Sequence, residues 1–388
     1  MIRVPAEYCA LLADIGACAR DKGTSAWAVG GCVRDWALGL ATRDLDILTE
    51  GPAEALAGHV AARHGLEWEK FGRFGTCRLT LPDGTGMDFA RARTETYAKP
   101  AALPEVEFST VEHDLRRRDF TVNAAAMNLL PGAFGAVLDP FNAISDAAAG
   151  QLRVLHDRSF EDDPTRLYRL IRFAGRFGWA AGPETLVLAK NALTGKYPAR
   201  LSKSRLGREL LCILNERAAK AVFANRLADE LFGYMGEGIR WYPALERLEP
   251  DESGCAQEDS IAFDYERLGV LACSMPDGAL FLKSLGLRRE LCAALVETAA
   301  VCAMRAAPEN NLSRSQKRII RAVFPDLADS ALKRRFVRGR DIMQYRIIGP
   351  QVARLITEYA QLQWQNRFID RPAALAALKE RFRPARFT

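Results

Sequence analysis

Up to about residue 130, short apolar runs alternate with polar turns. From about residue 160 onward, apolar positions recur at helical spacing. The runs "SAWAVGG", "RDLDILT" and "TCRLTLPDGTGMDFARAR" read as strands, and "PDGTG" between apolar runs predicts a hairpin. Two helices are expected within this region, at roughly 31–40 and 52–64. The helical remainder breaks at "GWAAGPE", "LEPDESG" and "RAAPENN". The second break is polar and acidic and reads as a surface loop or boundary. No internal repeat or low-complexity segment interrupts the pattern. The chain therefore reads as α+β, a small α/β unit followed by a long all-α remainder.

Composition narrows the class. A chain of 388 residues suits two to four domains or one elongated helical molecule, and 49% apolar residues can build a sizeable core. A net charge of +6 leans toward an anionic partner. The nine cysteines show no C-x-x-C and no zinc-like spacing, so they read as reduced thiols of a cytoplasmic protein. The opening "MIRVPAEYCALLADIGACAR" carries acids within its apolar stretch and does not read as a signal peptide. No run is long and apolar enough to span a membrane.

Candidate chemistry starts at "AWAVGGCVRDWALG". A strand ends at Gly30 and Gly31, and a helix is expected from about Val33. Paired glycines let backbone amides turn toward a ligand, a helix N-terminus favours anions, and Arg34 lies where it can meet a phosphate. The chain then returns as a strand carrying Asp44 and Asp46, which the two-residue period places on one face. Asp88, in "GMDFARAR", is expected on a neighbouring strand. D-x-D alone is compatible with an ordinary charged strand edge. Three carboxylates beside a phosphate-binding turn suit two Mg2+ ions, which take oxygen ligands and neutralise the repulsion between like charges. The expected ligand is a nucleoside triphosphate.

The stretch "VGGCVRDWALGLATRDLDI" resembles the signature of the class II tRNA nucleotidyltransferase and bacterial poly(A) polymerase family, within the DNA polymerase β-like nucleotidyltransferase superfamily. The resemblance is strong over about 1–215 and loose beyond. It implies a polymerase β-like head (1–130) followed by a helical neck (131–215), body (216–305) and tail (306–388). "DLRRRDFTVNAAAMN" joins Arg118, Asp119 and Asn123; read alone it is a charged loop entering an apolar segment. The resemblance implies that Arg118 contacts nucleotide phosphates and that Asp119 lies near the ribose.

In "SFEDDPTRLYRLIRFAGRFGW", Asp163 precedes Pro164 as a helix cap would. Arg166, Arg169 and Arg172 then recur every three residues as one basic face. The bland reading is a cap and solvated arginines. The resemblance implies a protein template: Asp163 accepts from the base's exocyclic amine and Arg166 donates to its ring nitrogen, a pattern that cytosine and adenine satisfy and that uracil and guanine do not. Arg169 and Arg172 would support the phosphates. Asp162 stands where the family has Glu, a shorter acid to orient the arginine.

In "LSKSRLGRELLCIL", Arg205 and Glu209 match a bracing helix of the family, while Ser204 and Cys212 replace its usual Glu and Lys. The pair would equally serve as a helix-surface ion pair. Residues 313–346 are rich in base and fit either sequence-independent contact with a phosphate backbone or an ordinary solvated helix face. By resemblance the reaction is addition of C-C-A to the tRNA 3′ end from CTP and ATP. Partial enzymes adding only C-C or only A, a poly(A) polymerase and an inactive RNA-binding homologue are the alternatives. The segment "YAKPAALPEVEF" lies where the family's flexible loop governs the switch from CTP to ATP, and it departs from the charged pattern of full C-C-A addition.

Overall fold

Helix α1 (Ala6–Asp21) opens the chain and buries Tyr8, Leu12, Ile15, Cys18 and Ala19 along one face. Strand β1 (Trp27–Val29), helix α2 (Gly31–Ala37), strand β2 (Asp44–Thr49) and helix α3 (Ala53–His64) follow. Next come β3 (Trp68–Phe71), β4 (Thr76–Thr80), β5 (Gly86–Arg91), β6 (Arg93–Thr96), β7 (Glu105–Phe108), α4 (Val111–Arg116), β8 (Ala126–Asn128) and β9 (Val137–Leu138). The computed structural model describes residues 2–42, 44–71, 75–248 and 265–382.

Seven strands form one mixed sheet in the order β3-β4-β5-β2-β1-β8-β9. The β2–β5 pair is parallel, because the chain between them passes through α3 and back along a hairpin. The "PDGTG" turn joins β4 to β5 in antiparallel register, as the turn residues predict. β6 and β7 form a separate antiparallel ribbon.

Alternation along the strands sorts the faces of the sheet. Leu45, Ile47, Met87 and Phe89 pack with Leu12, Ile15, Val33, Trp36, Leu56 and Val60 of the first three helices. Leu48 and Ala90 share the opposite face with Val111 and Leu115. Asp44, Asp46 and Asp88 have the parity of this second face. Gly16 lets α1 lie directly on the sheet, since a Cβ there would sit 1.6 Å from the Leu129 carbonyl oxygen.

The chain continues through α5 (Ala143–Ala149), α6 (Ser159–Asp162), α7 (Thr165–Phe177) and α8 (Pro183–Thr194). α7 buries Leu167, Tyr168, Leu170 and Ile171. Its Tyr168 hydroxyl donates to the Leu231 carbonyl at 2.9 Å. At Gly175 a Cβ would come within 2.8 Å of the Val222 amide, so the glycine admits the helix Ala219–Phe223.

Met1–Ser202 with Ala218–Tyr234 makes one compact unit, and Lys203–Arg217 with most of the chain beyond Met235 makes a second. The second unit is helical, with Lys203–Leu214, Glu266–Ser274, Arg289–Met304, Arg314–Val323 and Pro350–Trp364 among its longer helices. Buried Arg267 donates to the carbonyls of Leu214, Glu216 and Leu248 at 2.8, 3.1 and 2.8 Å, and so closes the end of the first of these helices. No helix among the described residues is long and apolar enough to cross a membrane.

The α+β architecture and the helices near 31–40 and 52–64 agree with the sequence. Two helices were not expected, α1 and α4. Small alanines and cysteines dilute the contrast between the faces of α1, and α4 is only six residues long. The acidic break near 250 lies outside the described residues.

Candidate active site

The parallel register of β2 and β5 sets Asp46 directly beside Asp88, and Asp44 beside Gly86. Asp46 is half-buried. Burial pushes its carboxyl up from the ordinary 3.8 to about 7; Arg118 opposes the rise, and Asp88 and Asp44 add to it. The antiparallel register of β4 sets Arg78 opposite Asp88. Arg78 Nε and Nη2 donate to the two Asp88 oxygens at 2.7 and 2.6 Å.

The expected cluster of three carboxylates is therefore not gathered. Among the described residues no three His, Cys, Asp or Glu side chains lie close enough together to hold a metal ion. Arg78 engages both oxygens of Asp88. The donor set nevertheless suits a hard divalent cation. All donors are oxygens, a carboxylate oxygen can accept from an arginine and still face a cation, and the repulsion by which Asp88 and Asp44 add to the burial-driven rise of Asp46 is one that a cation relieves.

Gly30 turns the chain between β1 and α2 at φ 74°, a conformation that favours glycine. A Cβ at Gly30 would lie 2.5 Å from Arg118 Nη1 and 3.5 Å from Asp46 Oδ2. The turn thus brings a cation and a carboxylate to the same backbone position. Arg118 Nη2 donates to Asp114 at 3.1 Å and Nη1 to the Asn123 carbonyl at 3.3 Å. Its Nε is buried without a hydrogen-bond partner among the described residues. The helix starts at Gly31, earlier than the expected Val33.

Arg34 and Asn123 sit in a buried network. Arg34 Nε donates to Asp35 at 2.8 Å and Nη1 to Asn123 Oδ1 at 2.6 Å. The Arg34 guanidinium also lies 4.8 Å from the Phe177 ring centroid. Asn123 Nδ2 donates to Asp119 Oδ1 at 2.9 Å, and Arg169 Nε and Nη2 donate to Asp119 Oδ2 at 2.8 and 2.6 Å. Burial opposes ionisation of Asp119, but Arg169, Asn123 and the Phe120 amide outweigh it and hold the carboxyl at about 2. Arg34 was expected to be open to a phosphate; it is 6% exposed and ties α2 to the loop after α4.

The α7 arginines do not form a solvated basic face. Arg166 and Arg172 are 5% and 6% exposed. Arg166 Nη1 donates to Ser159 Oγ at 2.7 Å and Nη2 to the Arg117 carbonyl at 2.6 Å. Arg172 lies 5.5 Å from the Phe173 ring centroid. Asp163 Oδ1 accepts from the Thr165 amide and hydroxyl at 3.0 and 2.7 Å, so it caps α7 as its position beside Pro164 predicts. Asp162 reaches Arg158 at 3.4 Å and His156 at 4.0 Å rather than Arg166.

A second charged cluster supports the same region. Glu95 accepts from Arg93 and Arg117 at 2.9 Å each and from the Tyr97 hydroxyl at 2.9 Å. Arg117 also holds Asp114 at 2.7 Å. Burial opposes ionisation of Asp114, yet Arg117 and Arg118 keep its carboxyl below the ordinary range. The sequence pattern singles out neither Arg78, Glu95 nor Asp114, and Arg117 enters it only as part of the basic cluster 116–118. Only Arg78 had a usable signal: counting outward from the "PDGTG" turn pairs 78 with 88.

Arg205 and Glu209 lie on the helix Lys203–Leu214 of the second unit, where Glu209 and Cys212 are buried. The basic stretch beyond residue 313 is partly neutralised, through Arg318–Glu266 at 3.0 Å, Arg335–Glu309 at 2.8 Å, and Arg321 paired with Asp329. Arg314 and Lys317 stay exposed on the helix Arg314–Val323.

The stretch that carries the glycine turn and the register-paired aspartates is also where the chain is similar to known proteins. Residues 26–153 match the poly A polymerase head domain. The chain is 41% identical over 214 residues to the A-adding tRNA nucleotidyltransferase of Geobacter sulfurreducens, covering 55% of this chain and 24% of that protein. It is 41% identical over 165 residues to the CC-adding tRNA nucleotidyltransferase of Deinococcus radiodurans, covering 42% and 44%. The chain thus spans less than half the length of these two relatives. A CCA-adding enzyme in an apo form superposes with a TM-score of 0.68 at 25% identity, covering 98% of this chain and 97% of that one. The Thermotoga maritima CCA-adding enzyme complexed with tRNA gives 0.58 at 25% identity and 97% coverage of both.

Proposed function

We propose that the protein transfers nucleotides from CTP and ATP to the 3′ end of tRNA, building C-C-A without a nucleic-acid template. One observation carries this reading: Gly30 gathers Asp46 and the Arg118 guanidinium, whose Nε lacks a partner among the described residues, at one backbone turn. A carboxylate pair for cations beside an arginine held in a fixed orientation is the kind of arrangement that a triphosphate site uses. Asp44, Asp46 and Asp88 would hold Mg2+, which when bound activates the attacking 3′-hydroxyl and offsets charge at the α-phosphate. Arg118 binds the phosphates. Asp163 and Arg166 read the base. The contacts of Arg166 leave its Nε–H and one Nη2 hydrogen for that purpose among the described residues. Arg169 and Asn123 act through Asp119 to hold the loop that carries Arg118. Exposed basic residues such as Arg314 and Lys317 contact the tRNA backbone.

A second reading, addition of A alone, is favoured by the relatives: the A-adding enzymes of Geobacter sulfurreducens and Halalkalibacterium halodurans are 41% and 38% identical over 214 and 213 residues. The test is incubation with tRNAs ending before C-C-A, after C and after C-C, each with one labelled nucleoside triphosphate at a time. Extension of all three in order supports full addition. Extension of the C-C form alone by ATP supports the second reading. No extension of any of them would sink both.

A further inference from the structure

Arg166 needs a fixed orientation to read a base, yet the acid expected to orient it, Asp162, does not reach it. His156 stands between them. Its Nδ1 lies 4.0 Å from Asp162 Oδ2, and its Nε2 lies 3.5 Å from Arg166 Nη1. Arginine has donors only, so His156 Nε2 must accept from it. The proton of the neutral ring then sits on Nδ1, facing Asp162. This tautomer is the one that the carboxylate favours.

We propose that His156 is a positioning residue that relays Asp162 to Arg166 and makes nucleotide selection sensitive to acid. The inference rests on the assignment of Arg166 to base reading. Together with Ser159 Oγ and the Arg117 carbonyl, His156 Nε2 completes a three-point seat for the guanidinium. Protonation would put a hydrogen on Nε2, against the Nη1 hydrogens, and two cations face to face. Arg166 would then leave its seat. The charged groups around the ring are Arg166 on α7, Asp162 on α6, and Arg158 and Asp157 on the preceding turn. Burial holds the imidazole below its usual range; Arg166 and Arg158 add to this, while Asp162 and Asp157 oppose it. The neutral, accepting ring is therefore the form present at neutral pH.

The test combines spectroscopy with kinetics on the full chain. Selective 15N labelling of the four histidines, with His156 assigned by comparison with His156→Gln, should show the Nδ1-protonated tautomer at pH 7.5. The Nε2-protonated tautomer would overturn the proposal whether or not the enzyme adds nucleotides. Selectivity is the ratio of kcat/KM for ATP over GTP and for CTP over UTP. For the wild type it should stay level above pH 6.5 and fall as pH drops further, approaching the tenfold loss that accompanies one charge-assisted hydrogen bond as the ring protonates. Glutamine offers an acceptor oxygen and does not titrate, so His156→Gln should keep its selectivity flat over that range. His156→Ala should be poorly selective throughout. Superimposable pH profiles for the wild type and His156→Gln would also overturn the proposal. A wild type that incorporates nothing refutes the functional reading and the selectivity claim with it, while the tautomer still decides the geometry.

Discussion

Asp46 gives the sharpest expectation, because one substitution should raise stability and abolish activity together. Its carboxyl titrates near 3.8 in an unfolded chain and near 7 in the folded one. Below 3.8 both states hold the proton and nothing is lost. Between 3.8 and about 7 the unfolded chain releases the proton while the folded chain keeps it, so stability falls as pH rises. Above about 7 the loss is complete. At about 1.4 kcal/mol for each pH unit, the full penalty is about 4 kcal/mol. At pH 5 only about 1.6 kcal/mol of it has accrued.

Asp46→Asn removes the titration and keeps the shape. Urea unfolding of metal-free protein should therefore show the variant gaining on the wild type by about 3 kcal/mol between pH 5 and pH 8. Mg2+ should restore the wild type at pH 8, by about 2.7 kcal/mol at a hundred times its dissociation constant, and should do little for the variant. Nucleotide incorporation by the variant should vanish. The reasoning fails if the stability gap stays constant with pH, or if the wild type is the more stable protein at pH 8 without metal. Such a result would mean that Arg118 and Arg78 already compensate the aspartates in full.

Asp119→Ala strands Arg169 in a buried setting and should cost about 3–5 kcal/mol in urea unfolding. Because Asp119 titrates near 2 in the fold, its contribution is present above its ordinary range and fades as pH falls toward 2; Asp119→Ala should therefore lose least at the acid end of a pH series. Gly30→Ala forces a left-handed turn on a side chain and drives a Cβ against Arg118 Nη1; it should cost on the order of 1–3 kcal/mol and cut incorporation, and an active variant of wild-type stability would contradict the site. Replacing Arg314 and Lys317 by Ala should weaken tRNA binding and lower the slope of log affinity against log salt by about one for each phosphate that the variant no longer neutralises; an unchanged slope would leave that helix face merely solvated.

What the sequence disclosed and what it withheld differ in physical kind. The hairpin, the D-x-D face and the Asp163 cap were legible because each is fixed by neighbours within a few positions. Turn chemistry sets the first, the two-residue period the second, and an Asp before Pro the third. The partners of the arginines were not legible. Three-residue spacing does put Arg166, Arg169 and Arg172 on related turns of α7, but spacing says nothing about what waits on that face. Arg166 found the Arg117 carbonyl, 49 positions earlier, and Arg169 found Asp119, 50 positions earlier.

The consequence concerns how the site can meet an anion. A basic face in solution would bind a triphosphate by simple attraction, and salt would screen it. Here Arg34, Arg169 and Arg166 are already spent on Asn123, Asp119 and backbone oxygen. They add rigidity more than attraction. Arg118 differs, because its Nε–H lacks a partner among the described residues while Asp114 and a carbonyl hold its other nitrogens in place. A phosphate that engages this arginine therefore meets a guanidinium whose plane is already fixed. Binding there should depend on geometry more than on net charge. Arg118→Lys, which keeps the charge and loses the planar fork, should lose most of the nucleotide affinity that Arg118→Ala loses. A lysine variant that binds ATP as tightly as the wild type would show that bulk attraction, and not this held donor, captures the phosphate.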